Sequence, residues 1–194
     1  MKAYDLEQAT YFDLDGVLVD WTLDIFIPAA KDVLQRSINQ GEEQHYDLRI
    51  QLGLTDEEHE RVWRDKRLVK HIRTASPINS IVPDLLQQKH CFITSRSTSS
   101  LEVSNAELIR EATTMWVRRV LGDDSPIHFV DPWKKAELAL GLGITVAYED
   151  NPDTVQQLTD AGIKVKMPVY AYNAQLTQHP LVEALHPWRQ SLVA

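Results

Sequence analysis

Short apolar runs alternate with helical patterns over most of this sequence, and this alternation constrains the fold more than any other feature. Five runs of β-branched, aromatic and aliphatic residues predict buried strands, over 9–14, 90–94, 127–130, 144–148 and 163–167. Helical periodicity separates the later runs, over 105–121, 133–142 and 152–161. Strands that alternate with helices form a parallel sheet covered on both faces. The sequence therefore predicts an α/β protein.

The segment between the first two predicted strands has no strand pattern of its own. A first helix is predicted from apolar residues at helical spacing, namely Phe26, Ala30, Val33, Leu34 and Ile38, and Gly41 ends it. Thr55 and Glu58 form a capping-box pattern, which predicts a second helix that runs to about Ile72. We therefore expect a helical insert over 21–75, and a core formed by 1–20 and 76–194 that includes a short helix over 81–88.

Charge and cysteine content exclude several classes of function. The net charge of -8 argues against an electrostatic grip on long nucleic acid. Cys91 is the only cysteine, which excludes an intramolecular disulfide and a cysteine-rich zinc site. The sequence has no apolar stretch of about 18 residues for a membrane span, and its first strand begins too near Met1 to leave room for a signal peptide. We expect a cytoplasmic protein with no membrane contact.

Polar side chains follow three of the predicted strands where each strand ends. The first strand ends in Asp13 and Asp15, the second in Thr94-Ser95-Arg96, and the fourth in Glu149-Asp150. Ligands of parallel sheets bind at the carboxyl ends of the strands. Carboxylates held this close repel each other, and a divalent cation such as Mg²⁺, which prefers oxygen ligands, would compensate them. Gly16 lets the chain turn sharply beside a ligand.

Four motifs, in this order, resemble those of the haloacid dehalogenase superfamily of phosphatases over nearly the whole chain. They are Asp13-Leu14-Asp15-Gly16-Val17, the hydroxyl of Thr94, Lys135 or its neighbour Lys134, and Tyr148-Glu149-Asp150-Asn151-Pro152. The resemblance implies a Rossmann-like parallel sheet with helices on both faces, and a small helical cap inserted after the first strand.

The resemblance also implies a role for each acidic residue. Asp13 would be the nucleophile and form an aspartyl-phosphate. Asp15 would protonate the leaving oxygen and later take a proton from water. Magnesium would bind Asp13, the backbone carbonyl of Asp15, and Asp150, while Glu149 either binds the metal through water or orients Asp150.

The remaining motif residues would contact the substrate. Thr94 would donate its hydroxyl to a phosphoryl oxygen, with Ser95 beside it. Lys135 would place its charge on the phosphoryl group, and Lys134 is the alternative. Arg96 either contacts the substrate or is a surface arginine.

The insert resembles the first cap class of this superfamily, and with Thr-Ser-Arg in the second motif it looks most like the 5′(3′)-deoxyribonucleotidase branch. Ala171-Tyr172-Asn173 and Trp188 share this likeness. The resemblance implies a magnesium-dependent phosphomonoesterase for a small phosphorylated substrate, a nucleoside (deoxy)monophosphate. Trp21, Tyr46 or Trp63 could stack on the base, and Trp21 is preferred because it follows the first motif directly. Alternatives are a phosphatase of nucleic-acid ends or of a non-nucleotide metabolite, and a non-catalytic phosphate-binding protein, which would not need Asp15.

Overall fold

A computed structural model describes residues 9–39, 45–78, 88–96 and 105–185. Its six strands are β1 (Ala9–Phe12), β2 (His90–Thr94), β3 (Ile127–Phe129), β4 (Ile144–Tyr148), β5 (Lys164–Pro168) and β6 (Val182–Leu185). They form one sheet in the order β3-β2-β1-β4-β5-β6, and every neighbouring pair is parallel. The predicted α/β class is confirmed. The edge strand β6 was not predicted, because its Val-Glu-Ala-Leu sequence is only half-buried and too short to show a period.

The insert is helical, but it is divided differently from the prediction. A π-helical turn (Trp21–Phe26) leads into α1 (Ile27–Leu34), followed by α2 (Leu48–Leu52), α3 (Asp56–Arg64) and α4 (Lys66–Thr74). The capping box of α3 is present, with the Glu58 amide donating to Thr55 Oγ1 at 3.2 Å. The single helix predicted to run to Ile72 is wrong. Asp65 adopts extended backbone and caps α4 by accepting from the Arg67 amide.

The helices of the core follow the predicted order. They are α5 (Ala106–Trp116), continued by a π-helical turn (Val117–Leu121), α6 (Lys135–Gly141), preceded by a 3₁₀ turn (Pro132–Lys134), and α7 (Pro152–Asp160). A further 3₁₀ turn (Ala174–Gln178) precedes β6. A helix was predicted over 81–88, and residues 81–87 of this range lie outside the described part of the chain. Gly41 and Trp188 also lie outside it.

Two apolar clusters cover the two faces of the sheet, because neighbouring strand residues point to opposite faces. Tyr11 belongs to the cluster formed with α6 and α7. Phe12 belongs to the other, which also contains Phe26 and Leu68 of the insert and Ile109 of α5. The insert therefore shares the apolar cluster on one side of the sheet, and its helix α4 packs on α5.

The two chain segments that join the insert to the core are held side by side. The Ile78 amide donates to the Leu18 carbonyl at 2.7 Å, and Val19 forms an antiparallel bridge with Pro77. The insert thus begins and ends beside the loop that follows β1. Among the described residues, no helix has the length and apolarity needed to cross a membrane.

Candidate active site

The carboxylates of Asp13, Glu149 and Asp150 lie together at the carboxyl ends of β1 and β4. The Asp13 amide donates to the Tyr148 carbonyl at 2.9 Å, which keeps the two strand ends adjacent. All three side chains are buried, and one oxygen of each lies within 4.8 Å of the others. The sequence-based expectation that these strand ends meet at one site is therefore supported by the geometry.

Lys135 is the cation of this cluster. Its Nζ lies 3.0 Å from Asp13 Oδ2 and 2.8 Å from Glu149 Oε2, and its side chain is buried. The 3₁₀ turn before α6 places Lys135 inward, whereas Lys134 is exposed and does not line the cavity. Of the two predicted alternatives, the structure brings only Lys135 to the site.

Glu149 is held by three partners within the protein. Besides Lys135, the Tyr11 hydroxyl donates to Oε2 at 3.0 Å, and the Asn151 amide donates to Oε1 at 3.2 Å. Both carboxylate oxygens thus accept hydrogen bonds. Of the two roles predicted for Glu149, this arrangement favours orientation of its neighbours over binding of the metal through water.

The cluster contains more acidic than basic groups. Its three buried carboxyl groups are accompanied by one ammonium group, which contacts Asp13 and Glu149, so full ionisation would leave two excess negative charges. Burial and the Glu149 charge raise the pKa of Asp13 to about 7, against the opposing effect of Lys135. Burial, with Glu149 and Asp13, also raises the pKa of Asp150 well above its usual range. A divalent cation with hard oxygen ligands fits both this charge and these donors.

Gly16 lets the loop after β1 pass close to Asp150. Its φ of +73° lies in the left-handed region, and a Cβ at this position would overlap the Asp150 carboxylate. The Tyr170 hydroxyl donates to the Gly16 carbonyl at 2.8 Å from the other side. No residue with a side chain fits here without displacing Asp150.

For the phosphatase activity that the motifs predict, we expect Gly16→Ala to reduce kcat/KM by about 10²-fold or more, because a displacement of about 1 Å in a catalytic group has this effect. Gly143→Ala is the matched control. Gly143 has a similar φ of +70°, but a Cβ there would meet nothing within 4 Å. Both variants should lose about 1–2 kcal/mol of stability from the left-handed backbone. Equal activity of the two variants would contradict the proposed overlap.

The segment after β5 holds Asp150 in place. The Tyr172 hydroxyl donates to Asp150 Oδ2, and Asn173 Nδ2 donates to the carbonyls of Asp150 and Pro168 at 2.8 and 3.0 Å. Burial and the adjacent Asp150 charge raise the pKa of Tyr172. The sequence identified Tyr172 and Asn173 only as marks of resemblance. Their position after a strand at the same sheet edge was the available signal for a site role.

The second motif supplies Asp15 with a partner. Arg96 is buried, which excludes the alternative of a surface arginine, and its guanidinium forms an ion pair with Asp15. Burial raises the pKa of Asp15, while Arg96 opposes this shift. Thr94 is fully buried and its hydroxyl accepts from the Arg96 amide at 3.3 Å. Ser95 and Arg96 line the cavity described next, whereas Thr94 is not among its lining residues.

A cavity of about 600 Å³ opens above these groups, between the sheet edge and the insert. Insert residues form part of its wall, including Trp21, Tyr46, Arg49, His59 and Trp63. The rings of Trp21 and Trp63 stack at 5.2 Å, and the Arg96 guanidinium lies 5.0 Å from the centre of the Trp21 ring. Only 9% of Trp21 is exposed, so the predicted contact with a base would require these partners to move.

Comparison with known proteins gives matches to solved structures only. No family model and no curated protein matches the sequence. A haloacid dehalogenase-like hydrolase from Streptococcus pneumoniae is similar, with a TM-score of 0.54, 16% identity, and coverage of 92% of this chain and 93% of the other. CbbY from Rhodobacter sphaeroides, in complex with xylulose-1,5-bisphosphate, has a TM-score of 0.55 and 12% identity, with coverage of 94% of this chain and 95% of the other. A HAD hydrolase from Entamoeba histolytica has a TM-score of 0.52 and 15% identity, with coverage of 93% of each chain.

Because these sequence identities are low, the matches establish the fold alone. They do so over nearly the full length of each chain. The match includes the insert as well as the sheet, since more than nine-tenths of each chain is covered. This protein has the fold of the haloacid dehalogenase-like hydrolases, with a buried acidic cluster at the carboxyl ends of its central strands.

Proposed function

We propose that this protein is a magnesium-dependent phosphomonoesterase of the haloacid dehalogenase superfamily. The observation that carries the proposal is the contact of Lys135 with Asp13, in a buried acidic cluster that opens on the cavity. It provides a nucleophile, a positive charge for the phosphoryl group and oxygen ligands for a cation in one place.

In the first step, a carboxylate oxygen of Asp13 attacks phosphorus. The bond between phosphorus and the leaving oxygen breaks, its electron pair goes to that oxygen, and Asp15 supplies the proton. Lys135 lowers the pKa of Asp13 against the effect of burial and faces the charge of the phosphoryl group. In the second step, Asp15 takes a proton from water, whose oxygen attacks phosphorus. The bond to Asp13 breaks, which releases phosphate and restores the Asp13 carboxylate.

The side chains of Asp13 and Asp150 and the backbone carbonyl of Asp15 would hold the magnesium ion. When bound, the ion offsets the repulsion between the carboxylates and the phosphate. Glu149 and Tyr172 would hold Lys135 and Asp150 in place beneath it, through the hydrogen bonds described above.

We expect magnesium to stabilise the folded protein, because it offsets the repulsion among the three carboxyl groups of the cluster. Binding adds about 2.7 kcal/mol when the ion is at one hundred times its Kd. Thermal unfolding in magnesium and in EDTA measures this gain without any substrate. In Asp150→Asn the gain should largely disappear, whereas Asp160→Asn, at the exposed end of α7, should keep it. An unchanged Tm of the wild-type protein at millimolar magnesium would contradict the site.

A nucleoside monophosphate is the substrate we propose, with the insert over 21–75 as the cap and a cytoplasmic location. Support for this substrate comes from the aromatic wall of the cavity, where Tyr46, Trp63, Tyr170 and Tyr172 join Trp21. Aromatic faces accept nucleobases readily. A non-nucleotide phosphate ester is the second candidate, because the similar CbbY structure holds xylulose-1,5-bisphosphate.

Phosphate release from a panel of esters tests the function. The panel contains nucleoside monophosphates, sugar phosphates, an aryl phosphate and a 5′-phosphorylated oligonucleotide, each with magnesium and with EDTA. We expect turnover of the small esters with magnesium only. Faster release from the oligonucleotide would favour a phosphatase of nucleic-acid ends. Binding of inorganic phosphate without turnover of any ester would favour the non-catalytic alternative.

A further inference from the structure

We propose that Arg96 is a positioning residue that fixes the carboxyl group of Asp15 for proton transfer, and that it does not bind the phosphate of the substrate. This inference rests on the proposed phosphatase function. It replaces the substrate contact that the sequence suggested for Arg96.

The contact between the two side chains fixes both position and orientation. Arg96 Nε lies 3.0 Å from Asp15 Oδ1 and 2.9 Å from Oδ2, and Nη2 also contacts Oδ1. Several hydrogen bonds from one planar group fix the carboxyl plane as well as its distance, which a single charge cannot do. Asp15 therefore has its orientation determined before a substrate binds.

Arg96 is itself held by three other parts of the structure. Its Nη1 donates to Thr113 Oγ1 of α5 at 3.3 Å, its backbone amide donates to Thr94 Oγ1, and its guanidinium lies against the Trp21 ring. Only 1% of its side chain is exposed. Nε and Nη2 thus contact Asp15 and Nη1 contacts Thr113, so a shift of the guanidinium toward a phosphoryl oxygen would break these contacts.

Asp15, in contrast, remains accessible to the cavity. Its side chain is 27% exposed, and it lines the cavity together with Asp13. A carboxyl group has about four lone-pair positions, so the contacts with Arg96 leave a position that can carry the transferred proton. The proton moves from this position to the leaving oxygen as the bond between that oxygen and phosphorus breaks. Arg96 stays bonded to the other side of the carboxyl group throughout.

Leaving-group dependence separates positioning of Asp15 from binding of phosphate. An alkyl phosphate needs a proton on its leaving oxygen, whereas 4-nitrophenyl phosphate expels a stable anion and needs it far less. We expect Arg96→Gln to lower kcat/KM for the alkyl ester by about 10²-fold, the range of general acid catalysis, and for the aryl ester by much less. The inhibition constant of inorganic phosphate should be unchanged. Asp15→Asn should give the same pattern.

Arg96→Lys tests whether the planar group is required, because lysine keeps the charge but presents a single ammonium. We expect the alkyl ester to remain impaired. The ratio of kcat/KM for the two esters is measured on the same sample, so it does not depend on the folded fraction of the protein. If one of the two Arg96 variants fails to fold, the other still tests the positioning of Asp15. Adding Arg96→Gln to Asp15→Asn should cause little further loss, since the two residues act as one unit.

Three results would overturn this inference. Equal losses for both esters, with weaker inhibition by phosphate, would assign Arg96 to the substrate. Full activity of Arg96→Lys would show that charge alone is sufficient. If the wild-type protein hydrolyses neither ester, the proposed function and this inference fail together, whereas the first two results leave the proposed function intact.

Discussion

Asp13→Asn is expected to abolish phosphate release, with a loss of about 10⁴-fold or more, because an amide oxygen cannot take the place of the nucleophilic carboxylate. The substitution preserves shape, so the fold should remain. Phosphate release with magnesium measures the effect, on the ester that the wild-type protein hydrolyses fastest. Asp160→Asn makes the same change on the exposed end of α7, where Asp160 accepts from Gln156, and should retain full activity.

Asp13→Asn should also be at least as stable as the wild-type protein in EDTA. Burial and Glu149 raise the pKa of Asp13 from 3.8 to about 7, so the folded protein holds a proton there that the unfolded chain has released. Stability of the wild-type protein therefore falls as pH rises between these values, and the variant lacks this contribution. The difference in unfolding free energy should grow over that interval. Substantial turnover by the variant, or a difference of the opposite sign, would contradict the role and environment assigned to Asp13.

Lys135→Met is expected to impair both stability and catalysis. It removes the ammonium group that contacts Asp13 and Glu149, and breaking a buried ion pair in this way costs about 3–5 kcal/mol. Loss of the positive charge beside the phosphoryl group should lower kcat by about 10²–10³-fold. Urea unfolding in EDTA measures the first effect, and phosphate release with magnesium measures the second.

Lys134→Met is the matched control, because it removes the neighbouring ammonium group from an exposed position outside the cavity. It should leave both quantities nearly unchanged. Magnesium should recover part of the stability lost in Lys135→Met, since the cation compensates the same carboxylates. Similar losses in the two variants would contradict the assignment of Lys135 as the cation of the cluster.

The central strands and the acidic cluster could both be predicted from the sequence, because the same segments carry both signals. Buried parallel strands have continuous apolar sequences, and polar residues at their ends mark the edge where ligands bind. The break at Asp65 could not be seen in this way, because the apolar spacing of α3 and α4 continues across it. A single residue that ends one helix and caps the next leaves no gap in the pattern.

The sequence indicated which residues belong to the site more readily than which side chains contact each other there. The choice between Lys134 and Lys135 depends on the 3₁₀ turn over Pro132–Lys134, which sets the direction in which α6 begins. The pairing of Arg96 with Asp15 joins residues 81 positions apart. Motif spacing indicates that both arrive at one sheet edge, but the identity of each hydrogen-bond partner depends on side-chain packing.

The antiparallel bridge between Val19 and Pro77 has a consequence for how proteins of this fold diversify. Because the helical insert begins and ends at two chain segments that lie side by side, an insert of another length can replace it without moving Asp13. Phe26 and Leu68 limit such exchange, since they share an apolar cluster with Phe12 of the sheet. A transplanted insert must therefore bring matching apolar side chains for that cluster, while the cavity-lining residues of the insert itself are free to change.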